Sequence, residues 1–251
     1  MILYEYPFNE SIRTQLRLER LFVRWALLNQ RDHPVDHHFA LATLFEIMDV
    51  AGQVDVRADL LKALQRHHAT FLSYQGNPQV SQSTLAQVLE RLHNVLQALE
   101  KTSGKTGAIL MSNDWLMEIR QQLLIPGGSC EFDLPAYHAW QHNPPERRRN
   151  DLLQWAESLQ PLADALNVAL GLLRDTGTWR SAHSQGGQFQ QNLPAGRPHQ
   201  LLRLRLDSNQ EIVPELKGHP LMVSVRLMHV DTDGRLRPYA GDANFEVALC
   251  S

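Results

Sequence analysis

Along this chain the period of the hydrophobic positions changes. Up to about residue 174 apolar residues recur every three or four positions; beyond residue 200 they alternate with polar ones, so helices are expected first and strands after them. Ile2 to Tyr6 alternate weakly and stop at Pro7, which predicts a short edge strand. Asn9 is placed to cap a helix that carries Ile12, Leu16, Leu18, Leu21, Trp25 and Leu28 on its apolar side. A helix over Asp36 to Val50 turns Phe39, Leu44, Ile47 and Met48 inward and ends at Gly52. Another, Val56 to Gln75, uses Leu60, Leu64, Phe71 and Leu72 and stops at Gly76-Asn77-Pro78. The clearest stripe runs from Ser83 to Lys101 through Leu85, Leu89, Leu92, Leu96 and Leu99. Further helices are expected over Trp115 to Leu124, Glu146 to Trp155 and Leu159 to Arg174, the last apolar nearly all round and therefore central.

Asp175 to Gln200 is rich in Gly, Gln, His, Ser and Pro and reads as a long loop. Leu202 to Leu206, Leu221 to Met228 and Asn244 to Leu249 then alternate like strands of one small sheet, whose polar face displays Arg203, Arg205 and Arg226. The expected fold class is α+β. A mainly helical, bundle-like domain (1–178, with the strand at 2–6 able to join the sheet) precedes a small antiparallel β domain (179–251) reached through a flexible loop.

Between the helical runs lies IPGGSCEFDLPAYHAW, Ile125 to Trp140. Pro126 fixes φ, and Gly127-Gly128 allow positive φ. Cys130 and Phe132 suggest a very short strand, and Asp133 suggests the N-cap of a helix that starts at Pro135 and carries Tyr137, His138, Trp140 and His142.

Charge and chemistry narrow the function classes. The 251 residues carry 24 basic and 27 acidic side chains, a net charge of −3, which disfavours a general nucleic-acid coat. The 2 cysteines, Cys130 and Cys250, fit neither a disulfide framework nor a zinc spacing. The N-terminal stretch lacks the basic and apolar regions of a signal peptide, and no apolar run reaches about 18 residues, so a cytoplasmic protein is expected. In TSGKTG (Thr102 to Gly107) the upstream glycine of a phosphate-binding loop is replaced by Leu99, and the stretch is read as a linker. Cys130 with His138 or His142 lacks an orienting acid, and the residue after His138 is Ala139 rather than the glutamate of a zinc hydrolase. No catalytic residue, metal site or cofactor is expected, and the chain is not read as an enzyme.

What stands out instead is a row of arginines. Arg13, Arg17, Arg20 and Arg24 share one side of the first helix. A solvated face with paired charges accounts for them, and so does a docking strip for an acidic peptide, since guanidinium forks hold carboxylates. The rival readings are a nucleic-acid-binding module on the same stripe and, less well supported, a cysteine-dependent enzyme at Cys130. The triplet Arg147-Arg148-Arg149 is expected to be solvated.

Several segments together resemble the ZapD family of bacterial cell-division factors: YPFNESIRTQLRLE, DVRADLLKAL, IPGGSCEFDLPAYHAW, GHPLMVSVRLM and FEVALCS, in that order and across essentially the whole chain. The resemblance implies a cytoplasmic homodimer at the mid-cell division ring. It would bind the C-terminal tail of the tubulin-like protein FtsZ, cross-link and bundle FtsZ filaments, support ring assembly and lower GTPase turnover. Neither a membrane nor a nucleic acid is an expected partner. Carried over by motif, Arg17, Arg57, His138 and Arg226 are the implied contact residues. Where the pattern implies further basic residues this chain has Gln53, Trp115 and Met222, and Arg20, Arg203 or Arg205 are the expected compensation.

Overall fold

A computed structural model describes residues 1–53, 56–102, 107–193, 198–219 and 221–251. Most of the expected linker at Thr102 to Gly107, the Gln53 side chain and residues 194–197 of the expected loop lie outside the described residues. The chain forms two compact units, one of Met1–Arg13 with Leu170–Ser251 and one of Thr14–Ala169.

Helices build the second unit. α1 (Glu10–Asn29) starts where the Asn9 side chain accepts the Ile12 amide at 2.9 Å, one of the orphan donors of a first turn. α2 (Pro34–Gln53) is its hub. Ala40, Leu41, Leu44, Phe45, Ile47 and Met48 are buried around most of its circumference, as a helix covered on several sides requires. Phe39, expected inside, is instead exposed. α3 (Val56–Leu72) and α4 (Gln82–Lys101) form a hairpin whose seam buries Leu60 and Leu64 against the stripe Leu85, Leu89, Leu92 and Leu99. Gly76 turns it at φ 76°, and Ser81 caps α4. α5 (Ala108–Met111), α6 (Asp114–Leu123), α7 (Pro135–Gln141) and α8 (Pro145–Ala156) follow. α9 (Gln160–Asp175), like α1, contributes residues to both units.

The first unit is a sandwich of two antiparallel sheets. One is 4-stranded, in the order β1 (Ile2–Pro7), β4 (Leu201–Leu206), β8 (Ala243–Cys250), β2 (Arg180–Ser184). The other places β6 (Met222–Val230) between β5 (Ile212–His219) and β3 (Gln188–Asn192), with the short β7 (Leu236–Pro238) also on β6. Their facing sides share one core, Leu202, Leu204, Phe245 and Val247 meeting Val223, Val225 and Leu227. The outer sides therefore look away from each other. This corrects the single sheet expected from sequence: Arg203 and Arg205 lie on the outside of one sheet and Arg226 on the outside of the other.

The expected loop from Asp175 to Gln200 is also corrected, because it contains β2 and β3. Gly186-Gly187 make a two-residue turn with φ of 55° and 72°, closed by the Gln185–Gln188 bridge. A Cβ at Gly187 would collide with the Tyr239 carbonyl, so the close approach as well as the turn demands glycine there. The strands are polar because the turn passes them into different sheets, where β8 and β6 supply the apolar partners.

Candidate partner-binding surface

The Ile125 to Trp140 segment organises an aromatic cluster. Tyr137 is wholly buried and stacks on Trp140 with ring centroids 5.6 Å apart, while Trp115 and Trp155 close the group from α6 and α8. The Tyr137 hydroxyl lies 2.8 Å from His38 Nδ1, and Trp140 Nε1 donates to Asp151 at 2.9 Å. Burial pushes the Tyr137 phenol well above its usual range and lowers His38. Three local expectations fail. Residues 130–132 are turn, not strand, with Phe132 76% exposed. The N-cap position is Leu134 without a side-chain bond, not Asp133. Only Gly127 has positive φ; Gly128 is required because a Cβ would strike the Gln122 carbonyl. Cys130 Sγ lies 3.0 Å from the Gly127 carbonyl, and among the described residues no hydrogen bond joins it to a histidine. The rings of His138 and His142 are 4.5 Å apart, yet among the described residues no group of His, Cys, Asp and Glu gathers to hold a metal.

Of the arginine triplet of α8 only Arg147 is exposed as expected. Arg148 is 3% exposed and donates to His37 Nδ1 at 2.8 Å, to the Gln141 carbonyl at 2.9 Å, to the Asp32 carbonyl at 2.5 Å and to the Asn143 carbonyl. Arg149 pairs with Asp32 and Glu146. Arg148 replaces a missing carboxylate with a ring of neutral acceptors that tie α8 to the start of α2. An Nδ1 that accepts is an unprotonated one, so this bond requires neutral His37. Burial, then the Arg148 charge, lowers the His37 pKa.

The implied contact residues fall into distinct states. Arg17 and Arg20 are exposed on α1 and form no ion pair with any described residue, whereas their neighbours on the stripe are engaged, Arg13 with Glu10 at 2.9 Å and Arg24 with Glu46 at 2.5 Å. Arg57 donates to the Leu99 and Glu100 carbonyls at 3.0 and 2.9 Å, compensating the unsatisfied C-terminal end of α4. His138 is half-buried on α7.

In the β unit, Arg203 shares Glu5 with Arg174, at 3.0 Å from Arg203 and 2.7 Å from Arg174. Arg205 lies over the Trp179 ring at 3.9 Å and approaches Glu246 at 3.8 Å. Arg226 is exposed on β6 between Gln188 and Glu215, and forms no ion pair with a described residue. On the same outer face, one pair along β5, stands the exposed Lys217, which sequence reading missed; the alternation of β5 was the available signal.

Arg17, Arg20 and Arg226 are therefore available to an anionic partner, and Arg57 and Arg203 already serve the fold. Trp115, one of the positions where a basic residue is implied, belongs to the aromatic cluster. Met222 is exposed at the start of β6. No described helix is long and apolar enough to cross a membrane.

Comparison with known proteins gives one consistent result. The family model described as "ZapD: Cell division protein" matches residues 16–226. A protein named "Cell division protein ZapD" from Ralstonia pickettii (strain 12J) is 46% identical over 252 residues, covering 100% of both chains. Proteins of the same name from Ralstonia nicotianae (strain ATCC BAA-1114 / GMI1000) and Janthinobacterium sp. (strain Marseille) are 47% and 44% identical, again over 100% of both chains.

Proposed function

The chain belongs to the ZapD family of cell division proteins, and from that membership we propose that it binds the C-terminal tail of FtsZ and cross-links its filaments. A role in cell division follows from the family itself. The finer reading is that a cytoplasmic homodimer presents two tail-binding surfaces, bundles FtsZ protofilaments at the mid-cell ring, supports ring assembly and slows GTPase turnover. Two weak sites on one dimer suffice, because binding of the first raises the effective concentration for the second along a filament.

The observation that carries the reading is the pair Arg17 and Arg20, exposed and without an ion pair among the described residues, Arg17 within a motif that the family resemblance singles out and Arg20 the expected compensating cation just after it. An acidic tail supplies the carboxylates these guanidinium groups lack. Arg226 is a further available cation. His138 and Arg205 serve as secondary contacts, Arg205 with its ring-stacked face occupied. Arg57 and Arg203 contribute through the fold and through whatever donors their internal bonds leave over. Exposed ion pairs contribute about 0–1 kcal/mol each, so the expected binding is weak and falls as salt rises.

Co-sedimentation with assembled FtsZ, with and without its C-terminal tail, tests the proposal. Pelleting with the intact filament and not with the truncated one is expected; equal pelleting with both would rule out the tail as the partner.

A further inference from the structure

Away from the arginine surface, two histidines at the end of α7 are held side by side. Tyr137 and Trp140 bury one face of this short helix in the aromatic cluster, and Asp151 pins Trp140 further. His138, half-buried, and His142, exposed, stand four residues apart on the adjoining face, with ring centroids 4.5 Å apart and planes inclined at 52°. The carbonyls on both sides of His142, those of Gln141 and Asn143, accept from the buried Arg148. The backbone that carries the second ring is thus fixed by a side chain of α8. His142 Nδ1 lies 2.8 Å from the His138 carbonyl. A carbonyl only accepts, so Nδ1 carries the proton and the lone pair of the ring is on Nε2. Metal-binding imidazoles commonly make this outer bond, which sets the tautomer and raises the basicity of the other nitrogen. The ring nitrogens of His138 have no hydrogen-bond partner among the described residues, so that ring has a lone pair to offer as well.

We propose that His138 and His142 form a two-imidazole site for a late first-row divalent cation, Zn²⁺ being the representative. Metal–imidazole bonds of about 2.0–2.1 Å put a cation about 3.2 Å from each ring centre, so centres 4.5 Å apart subtend about 90° at it. That is an angle between neighbouring ligands which such cations accept. Donor chemistry decides the ion, because imidazole nitrogen suits nickel, copper and zinc, whereas magnesium and calcium take oxygen. No third His, Cys, Asp or Glu joins the pair among the described residues. Water therefore completes the coordination, which makes this an exchangeable site and not a closed structural one. The bound cation adds two positive charges to this face of α7, with open positions that an oxygen donor such as a carboxylate can enter.

The test titrates Zn²⁺ into the metal-free full chain by isothermal titration calorimetry. The variants are His138→Gln, His142→Gln and, as a control, His93→Gln, which removes an exposed histidine of α4. The wild-type protein and the control should bind Zn²⁺ alike, and each α7 variant at least about tenfold more weakly. Long-range proton–nitrogen spectra of the wild-type protein give a second readout that needs no variant to fold. They should show His142 protonated on Nδ1 before Zn²⁺ is added, and the earliest ring-nitrogen shifts on addition at His138 and His142 together. No Zn²⁺ binding to the wild-type protein, or binding that both α7 variants retain, would overturn the proposal. So would an equal loss in the His93 variant, which marks binding dispersed over surface histidines, or first shifts at histidines other than this pair.

Discussion

Arg17 and Arg20 on α1 and Arg203 and Arg205 on β4 are similar pairs in the sequence, each on the polar side of an amphipathic element. The structure separates them. On β4 the guanidinium groups are used internally, Arg203 by the Glu5 carboxylate and Arg205 by the Trp179 ring. On α1 the charges of Arg17 and Arg20 face solvent, while among the described residues Arg13 and Arg24 on the same stripe have carboxylate partners. A count of basic residues measures potential charge. What a partner can use is the charge left after the fold has taken its share, and α1 has more of it than β4.

Four substitutions or conditions probe this contrast. The largest effect belongs to the most fully used arginine. Arg148→Ala leaves His37 and the carbonyls of Asp32, Gln141 and Asn143 without their donor, and should cost roughly 3–5 kcal/mol of stability, read by urea unfolding followed by circular dichroism. A loss under about 1 kcal/mol would mean that water replaces the guanidinium without penalty.

Next comes the charge reversal Arg17→Glu with Arg20→Glu. Stability should change by no more than about 0.5 kcal/mol, while affinity for the tail peptide should fall at least about tenfold, equal to about 1.4 kcal/mol. Arg57→Gln should behave in the opposite sense. It removes the bonds to the Leu99 and Glu100 carbonyls and should lower stability by about 1–2 kcal/mol, with a change in tail affinity of less than about threefold. A large affinity loss at unchanged melting temperature would restore Arg57 to the contact surface.

The smallest effect is on pH dependence. His37, His38 and His67 are all held below the usual histidine pKa, by burial first, with Arg148 acting on His37 and Arg66 on His67. The unfolded chain therefore binds more protons than the folded one just below pH about 6.5. Stability is complete above that pH and declines as the pH drops from it toward the folded-state values, by at most about 1.4 kcal/mol per pH unit for each histidine. Melting temperatures from pH 7.5 down to 5 would show the decline. His37→Gln should flatten it, and an unchanged slope in that variant would place the linkage on the other histidines.

The helices were legible because their stripes are local: Leu85, Leu89, Leu92 and Leu99 share one face whatever lies opposite, and Asn9 caps α1 within its own turn. The edge strand at Ile2–Pro7 was legible for the same reason, its alternation ending at a proline. β2 and β3 were not. His183, Gln188 and Gln190 have no strand preference of their own, and only pairing with β8 and β6 makes them strands. Alternation in β4 and β6 gave the face of each residue but not which sheet it belongs to, so Arg226 was grouped with Arg203 and Arg205. The burial of Arg148 was beyond local reading, because its acceptor His37 is 111 positions away. The candidate surface was half legible: the sequence displays the arginine stripe, and only the packing around it tells Arg17 and Arg20 from Arg13 and Arg24.

In the proposed function the tail is held by cations that the fold does not use. The most direct test is a titration of a fluorescein-labelled FtsZ tail peptide with the wild-type protein, the Arg17→Glu/Arg20→Glu variant and an Arg203→Ala/Arg205→Ala variant, by fluorescence anisotropy at one fixed salt concentration. A loss of at least about tenfold is expected for the α1 variant and near wild-type affinity for the β4 variant, with circular dichroism confirming that it is folded. The reverse order, with the β4 variant losing the tail and the α1 variant keeping it, would place the tail on β4 and remove it from α1.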